Sequence, residues 1–224
     1  MKSLVIGLTI VSVLLLGCSN MNKSKKGAVI GTATGGAIGG AIGSTQGKVV
    51  LGSIIGATIG GVVGAVIGHN MDKQAEEMKK NLPDATVERV GEGIVIEFNN
   101  KILFGFDQSD LSSGARANLD KLVDVLQKYP DTDIEVQGHT DNTGSAPYNL
   151  ALSQRRASSV TDYLITNSIT SSRISMKAFG ESEPKYSNAT SEGQDMNRRV
   201  DFVISANEKM KADAAKESNN SGGR

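Results

Sequence analysis

Asp133-Ile134-Glu135-Val136-Gln137-Gly138-His139-Thr140-Asp141-Asn142-Thr143-Gly144 is the stretch on which the fold turns. Residues 133–138 alternate polar and apolar with period two, which predicts a strand with one buried face. The polar run after it is a loop at the strand's end. Ser145 can then cap a helix, and Pro147 suits its first turn. That helix is predicted from about Ser145 to Asn167.

At 3.6 residues per turn, Asn149, Leu152, Ser153, Arg156, Val160, Tyr163 and Leu164 share one face of this helix. The face is otherwise apolar and must meet the sheet. Arg156 sits in its middle, whereas Arg155 points to water. A guanidinium is not deprotonated in a protein, so in a partly buried place it needs an anion. The loop before the helix supplies the Asp141 carboxylate. Two arrangements stay open. Asp141 and Arg156 satisfy each other, or they hold a zwitterion between them. In the second case Asp141 takes an ammonium and Arg156 takes a carboxylate bidentately.

Working outward, Gly93 to Phe98 reads as a strand and Ile102-Leu103-Phe104 as a second, forming an N-terminal hairpin. Leu111-Ser112-Ser113 opens a helix with Leu119, Leu122, Val123, Val125 and Leu126 on its apolar side, and Tyr129-Pro130 ends it. Ile174 to Phe179 and Arg199 to Ile204 are two further strands, with a loop and a short helix between them. Strands interleaved with helices predict an α+β domain of β/α/β/α/β order, with a mixed sheet and helices on one face. This domain is assigned to residues 85–206, and the polar tail 207–224 is predicted to be disordered.

The other end of the chain is built differently. Lys2 and the apolar run Leu4 to Leu16 form the n- and h-regions of a signal peptide over residues 1–17. The run falls short of the roughly 20 apolar residues a membrane span needs. It ends Leu15-Leu16-Gly17-Cys18, which resembles a bacterial lipobox. The resemblance implies that Cys18 is lipidated and becomes the new N-terminus, with Ser19 directing transfer to the outer membrane. Residues 18–26 are then a lipid-anchored linker. Across residues 27–68 glycine recurs every fourth position: Gly27, Gly31, Gly35, Gly39 and Gly43, then Gly52, Gly56, Gly60, Gly64 and Gly68. Glycine at that spacing lines one stripe of a helix, where another backbone can approach closely. Ala, Val and Ile fill the intervals, unlike a flexible linker. The segment resembles glycine-zipper segments of outer-membrane lipoproteins and predicts a helical hairpin in or against lipid, with a homo-oligomer left open. Residues 69–84, rich in charge and ended by Pro83, are predicted to be a solvated helical stalk.

Composition excludes several classes. Net charge is zero, with 24 basic and 24 acidic side chains, and there is no Trp. Neither an electrostatic footprint nor a stacking platform for nucleic acid is present. Cys18 is the single cysteine and there are two histidines, His69 and His139, so no metal site and no cofactor is expected. His139 has no activated nucleophile beside it, and a wall hydrolase is not supported.

The run Gly138 to Gly144, with Tyr148-Asn149, Leu152-Ser153 and Arg156-Ala157, resembles the signature of the OmpA C-terminal-like family. Gly180-Glu181-Ser182-Glu183-Pro184, then Asn188, Thr190, Gly193 and Asn197-Arg198-Arg199-Val200, is similar to its second block. The resemblance covers roughly residues 92 to 206. It implies non-enzymatic, non-covalent binding of peptidoglycan at the diaminopimelate of the stem peptide, with Asp141 and Arg156 gripping its free amino-acid end. Thr143 and Asn149 are expected to add polar groups and Arg199 a second cation. Phe104 and Phe106 are expected in the core. The function so implied is a tether between the outer membrane and the wall, its domain facing the periplasm. The alternative is an accessory subunit of an envelope machine that exchanges between the wall and a periplasmic partner.

Overall fold

A computed structural model of the chain describes residues 61–105 and 107–221. Cys18, the zipper up to residue 60 and Phe106 lie outside the described residues. Five strands form one sheet: β1 (Thr86–Val90), β2 (Gly93–Asn99), β3 (Thr132–His139), β4 (Ile174–Gly180) and β5 (Arg199–Ala206). Their order is β1-β2-β5-β3-β4. β3 and β4 are parallel, whereas β1/β2, β2/β5 and β3/β5 are antiparallel, so the sheet is mixed. The helices are α1 (Val62–Asn81), α2 (Asn100–Leu103), α3 (Ser113–Lys128), α4 (Ala146–Thr166), α5 (Ser191–Asn197) and α6 (Glu208–Ser221).

Period-two alternation sorts the sheet into two faces. Ile94, Ile96, Phe98, Ile134, Val136, Val200, Phe202 and Ile204 lie in one apolar cluster with Leu119, Leu122 and Leu126 of α3 and Val160 and Leu164 of α4. Phe98 and Phe202 meet edge-on, with ring centroids 5.7 Å apart. The other face carries a small apolar patch, Val95 and Val203 with Val90 beside them, and a row of polar side chains. The long helices therefore cover one face, as expected from the interleaved order.

Local chemistry explains the helix ends. The Ser112 side chain accepts from the Ala115 amide at 3.0 Å and opens α3. Ser145 occupies the N-cap position of α4 but makes no side-chain capping bond, and a proline sits in the first turn. α4 lies close to the sheet because Gly138 has no side chain: a Cβ there would run into the Ser153 carbonyl. Gly180 has φ +54°, a left-handed conformation that favours glycine, and a Cβ there would crowd the Leu150 backbone.

Three sequence expectations are corrected. Ile102-Leu103-Phe104 is not a strand. Asn99 caps the short helix α2 by accepting from the Lys101 amide, and Phe104 forms only an isolated bridge to Leu111. The partner of β2 in the hairpin is β1, whose short, mixed pattern does not stand out in the sequence. The stalk at 69–84 is not solvated all round. α1 runs unbroken from the zipper's last glycines into this segment and buries Ile67, Met71, Ala75 and Met78 in the core, while Asp72, Lys73 and Glu76 face water. Burying one such large side chain fully stabilises by about 1.5–3 kcal/mol, enough to dock a helix. The tail is likewise ordered through residue 221: α6 buries Met210 and Ala214 in the same cluster, and the Asn207 side chain accepts from the Met210 amide. The folded unit is thus wider than residues 85–206. Among the described residues no helix is long and apolar enough to cross a membrane.

Candidate ligand-binding site

At the C-terminal end of β3 the loop Thr140 to Gly144 faces the N-terminal half of α4 across a cavity of about 540 Å³. The loop is tied down from both sides. The Thr140 amide donates to the Gly180 carbonyl at 2.8 Å, and the Gly180 amide donates to Ser153 Oγ at 3.0 Å. Four of the five residues anticipated for the site line the cavity: Asp141, Thr143, Asn149 and Arg156.

Asp141 is 4% exposed. Its Oδ1 accepts from the Thr143 amide at 2.8 Å, an Asx turn that fixes the carboxylate. Its Oδ2 is ion-paired with Arg198, whose other terminal nitrogen holds Asp195. Asn149 donates from Nδ2 to the Asp141 carbonyl at 3.3 Å and to Glu181 Oε2 at 2.5 Å. Thr143 contributes its backbone amide, and its own side chain is exposed.

Arg156 is also 4% exposed, and its guanidinium carbon lies 5.4 Å from the centroid of Phe104. Nε donates to the Gln108 carbonyl at 2.9 Å. Among the described residues its two terminal nitrogens have no hydrogen-bond partner and Arg156 makes no ion pair. Desolvation lowers its pKa, while Asp107 and the Tyr148 oxygen pull the other way. Charge remains on the guanidinium at any physiological pH. Tyr148 donates to Asp107 Oδ1 at 2.5 Å, and this bond raises the phenol's pKa. Asp107 itself has φ +55°, an uncommon backbone conformation for a residue with a side chain.

Of the two arrangements left open by the sequence, the direct Asp141–Arg156 pair is not found. Asp141 and Arg156 share a cavity without satisfying each other, because Arg198 takes the carboxylate. The fifth anticipated residue, Arg199, is not there. It lies on the opposite face of the sheet, where Nε donates to Asp201 Oδ2 at 3.1 Å. Arg198 stands in the cavity instead. The alternation of β5 held that signal: Val200, Phe202 and Ile204 point to the helices, so Arg199 must share the other face with Asp201. Phe104 does two things, since it belongs to the core and also lines the cavity under Arg156. Asp107 escaped the sequence reading because only its fold-dependent approach to Tyr148 brings it in. Three cations, Lys101, Arg156 and Arg198, and two carboxylates, Asp107 and Asp141, therefore line one cavity together with the apolar Phe104 and Leu152. That set suits a ligand carrying both signs of charge on a partly apolar frame. Among the described residues no group of His, Cys, Asp and Glu is placed to hold a metal ion.

Comparison with known proteins agrees with this architecture. The OmpA family model matches residues 103–198, and the YMGG-like Gly-zipper model matches residues 1–72. The chain is 35% identical over 137 residues to the "Probable lipoprotein YiaD" of Escherichia coli (strain K12), covering 60% of this chain and 63% of that protein. It is 39% identical over 103 residues to the peptidoglycan-binding protein ArfA of Mycobacterium bovis, covering 46% of this chain and 32% of ArfA. It thus spans less than two thirds of either relative's length. Among solved structures, a MotB-like protein from Desulfovibrio vulgaris superposes with a TM-score of 0.61 at 22% identity, over 64% of this chain and 96% of that one. The cell wall anchor of the T6SS from Pseudomonas aeruginosa superposes with a TM-score of 0.53 at 27% identity, over 61% and 96%. The chain carries an OmpA family domain across residues 103–198, joined to a YMGG-like Gly-zipper segment across residues 1–72.

Proposed function

We propose that this protein is an envelope lipoprotein that tethers the outer membrane to the cell wall, and that its cavity binds the diaminopimelate end of a peptidoglycan stem peptide. The observation that carries the reading is Arg156: a nearly buried guanidinium whose terminal nitrogens have no partner among the described residues, in one cavity with the Asp141 carboxylate. A lone buried cation is costly, and a bidentate carboxylate from a ligand removes that cost. The ligand's ammonium meets Asp141, where it shares the carboxylate with Arg198 or displaces it. Asn149 and the Thr143 amide hold the Asp141 loop in position. Phe104 and Leu152 receive the aliphatic chain between the ligand's two polar ends.

The relatives support the class of ligand: ArfA is named for peptidoglycan binding, and the Pseudomonas structure is a cell wall anchor. The relatives also support a binding role rather than catalysis. In this reading Cys18 bears the lipid and the zipper residues before α1 form the hairpin at the membrane. α1 then carries the last zipper glycines, Gly64 and Gly68, straight into the wall domain, since it spans Val62–Asn81 and its inner face is part of the core. Many copies held to one membrane and one polymer give firm attachment even when each contact is weak.

Co-sedimentation of the full chain, in detergent, with purified peptidoglycan tests the cavity. Wild type pellets with the wall and is released by free diaminopimelate. Asp141→Ala and Arg156→Ala stay in the supernatant while keeping a native circular dichroism spectrum. Undiminished pelleting of both would overturn the assignment. Incorporation of labelled fatty acid tests the anchor: Cys18→Ser abolishes it, and persistent label in that variant would remove the lipid from this account.

A further inference from the structure

The far face of the sheet holds a second set of charged groups, which the cavity does not use. His139 ends β3, Arg199 and Asp201 stand on β5, Glu97 on β2, and Lys185 and Tyr186 on the loop after β4. Most of this set is conventionally paired. Lys185 Nζ lies 2.7 Å from Glu97 Oε2, and Tyr186 donates to Glu97 Oε1 at 3.1 Å. Arg199 holds Asp201 Oδ2 through Nε, and its terminal nitrogens donate to the Asn197 and Glu183 carbonyls. Further along the face, Lys177 of β4 pairs with Glu135 of β3 at 3.0 Å, and Gln137 donates to Glu135 at 2.6 Å.

The exceptions are three sealed atoms. Both ring nitrogens of His139 and Oδ1 of Asp201 have no hydrogen-bond partner, although the residues are each 3% exposed. The imidazole is stacked on Phe179 at 5.1 Å, and its Nε2 lies 3.6 Å from Asp201 Oδ2. A neutral imidazole must carry one N–H and one bare nitrogen, and an ionised carboxylate only accepts. A proton on Asp201 Oδ2, the oxygen facing His139 Nε2, would give that ring nitrogen the donor it lacks.

We infer that His139 and Asp201 form a self-compensating proton-binding pair, which keeps the stability of the domain level across mildly acidic pH. Desolvation pushes the Asp201 carboxyl up from its ordinary 3.8 to about 6, against the pull of Arg199. Burial, with Arg199 and Lys185 nearby, pushes His139 well below its ordinary 6.5. The two shifts have opposite linkage. The raised Asp201 alone contributes stability that is full below its unfolded value and is lost as pH rises through 6. The depressed His139 alone contributes stability that is full above 6.5 and is lost as pH falls. Between pH 7 and pH 5 the folded chain gains its proton at Asp201 while the unfolded chain gains one at His139. The two slopes cancel. Fold stability at the end of β3, next to Thr140 and Asp141, is thereby uncoupled from the acidity of the medium.

The test is urea unfolding of the full chain in detergent at pH 7 and pH 5, for wild type, Asp201→Asn, His139→Gln and the double variant. Each is read against the double variant, which cancels every other titrating group. On acidification the folding constant of Asp201→Asn falls about 25-fold, that of His139→Gln rises about tenfold, and wild type moves less than about threefold. Single variants whose slopes share a sign, or that both track the double variant, overturn the inference. A carbon-13 carboxyl titration of wild type is independent of any substitution. It should find one aspartate carboxyl titrating near pH 6. Aspartates that all titrate below about pH 5 overturn the inference. Neither readout involves wall binding, so the outcome is separate from that of the cavity.

Discussion

Arg198 and Arg199 are neighbours in the chain and face opposite sides of the sheet, and their surroundings share little. Arg198 stands in an open cavity, a third exposed along its side chain, bridging Asp141 and Asp195. Arg199 is 4% exposed and locked to Asp201 and two carbonyls under the loop after β4. An ion pair in contact with water adds little to stability and can be exchanged for a ligand. A sealed pair adds geometry, and removing one partner leaves a costly charge. One residue of strand register thus separates a binding cation from a structural one.

The sharpest way to break that contrast is Arg199→Ala. It strands Asp201 and should cost about 3–5 kcal/mol of stability. The fraction that remains folded still pellets with the wall. Urea midpoints together with co-sedimentation read both effects, and a wall-binding defect in fully folded protein would place Arg199 back in the site. Next comes Arg156→Lys. A lysine keeps the charge but loses the two-pronged donor set, so wall affinity should drop about tenfold or more, a difference of roughly 1.4 kcal/mol per decade, with the fold kept. Retained affinity would mean that only net charge matters there. Arg198→Ala should lower stability less than Arg199→Ala, because Arg198 is 30% exposed along its side chain and the Asp141 carboxylate it leaves keeps the Thr143 amide and borders the open cavity. Equal costs in urea unfolding would erase the distinction between the faces. Arg155→Ala sets the baseline: this exposed residue next to Arg156 should change stability by less than about 0.5 kcal/mol and wall binding not measurably.

Much of this was legible in the residues. Period two in 133–138 and in 199–204, and the stripe through Asn149, Leu152, Arg156 and Val160, correctly set β3, β5 and α4 and put Arg156 on the inner face. Asp141 followed from its position on the connecting loop, whereas Thr143 and Asn149 came from the family resemblance; all three line the cavity. Other features were written in the sequence but outweighed by louder signals. Ile67, Met71, Ala75 and Met78 recur at helical spacing, yet the dense charge between them suggested a solvated stalk. Arg199 could have been separated from Arg198 by counting back from Val200. In α6 only Met210 and Ala214 mark the buried side, too weak a pattern against a polar background to announce a helix.

By itself the sequence determined the α+β order, the loop that presents Asp141 and the inward placement of Arg156, because strand and helix periods depend on local backbone geometry alone. Only the tertiary structure decided that Arg198 rather than Arg156 takes the Asp141 carboxylate, that Asp107 reaches the cavity, and that α1 and α6 close over the core. A period says which side of an element a group occupies. What meets that side depends on chain segments tens of residues away, and it is set by packing and by the need of each buried charge for a partner.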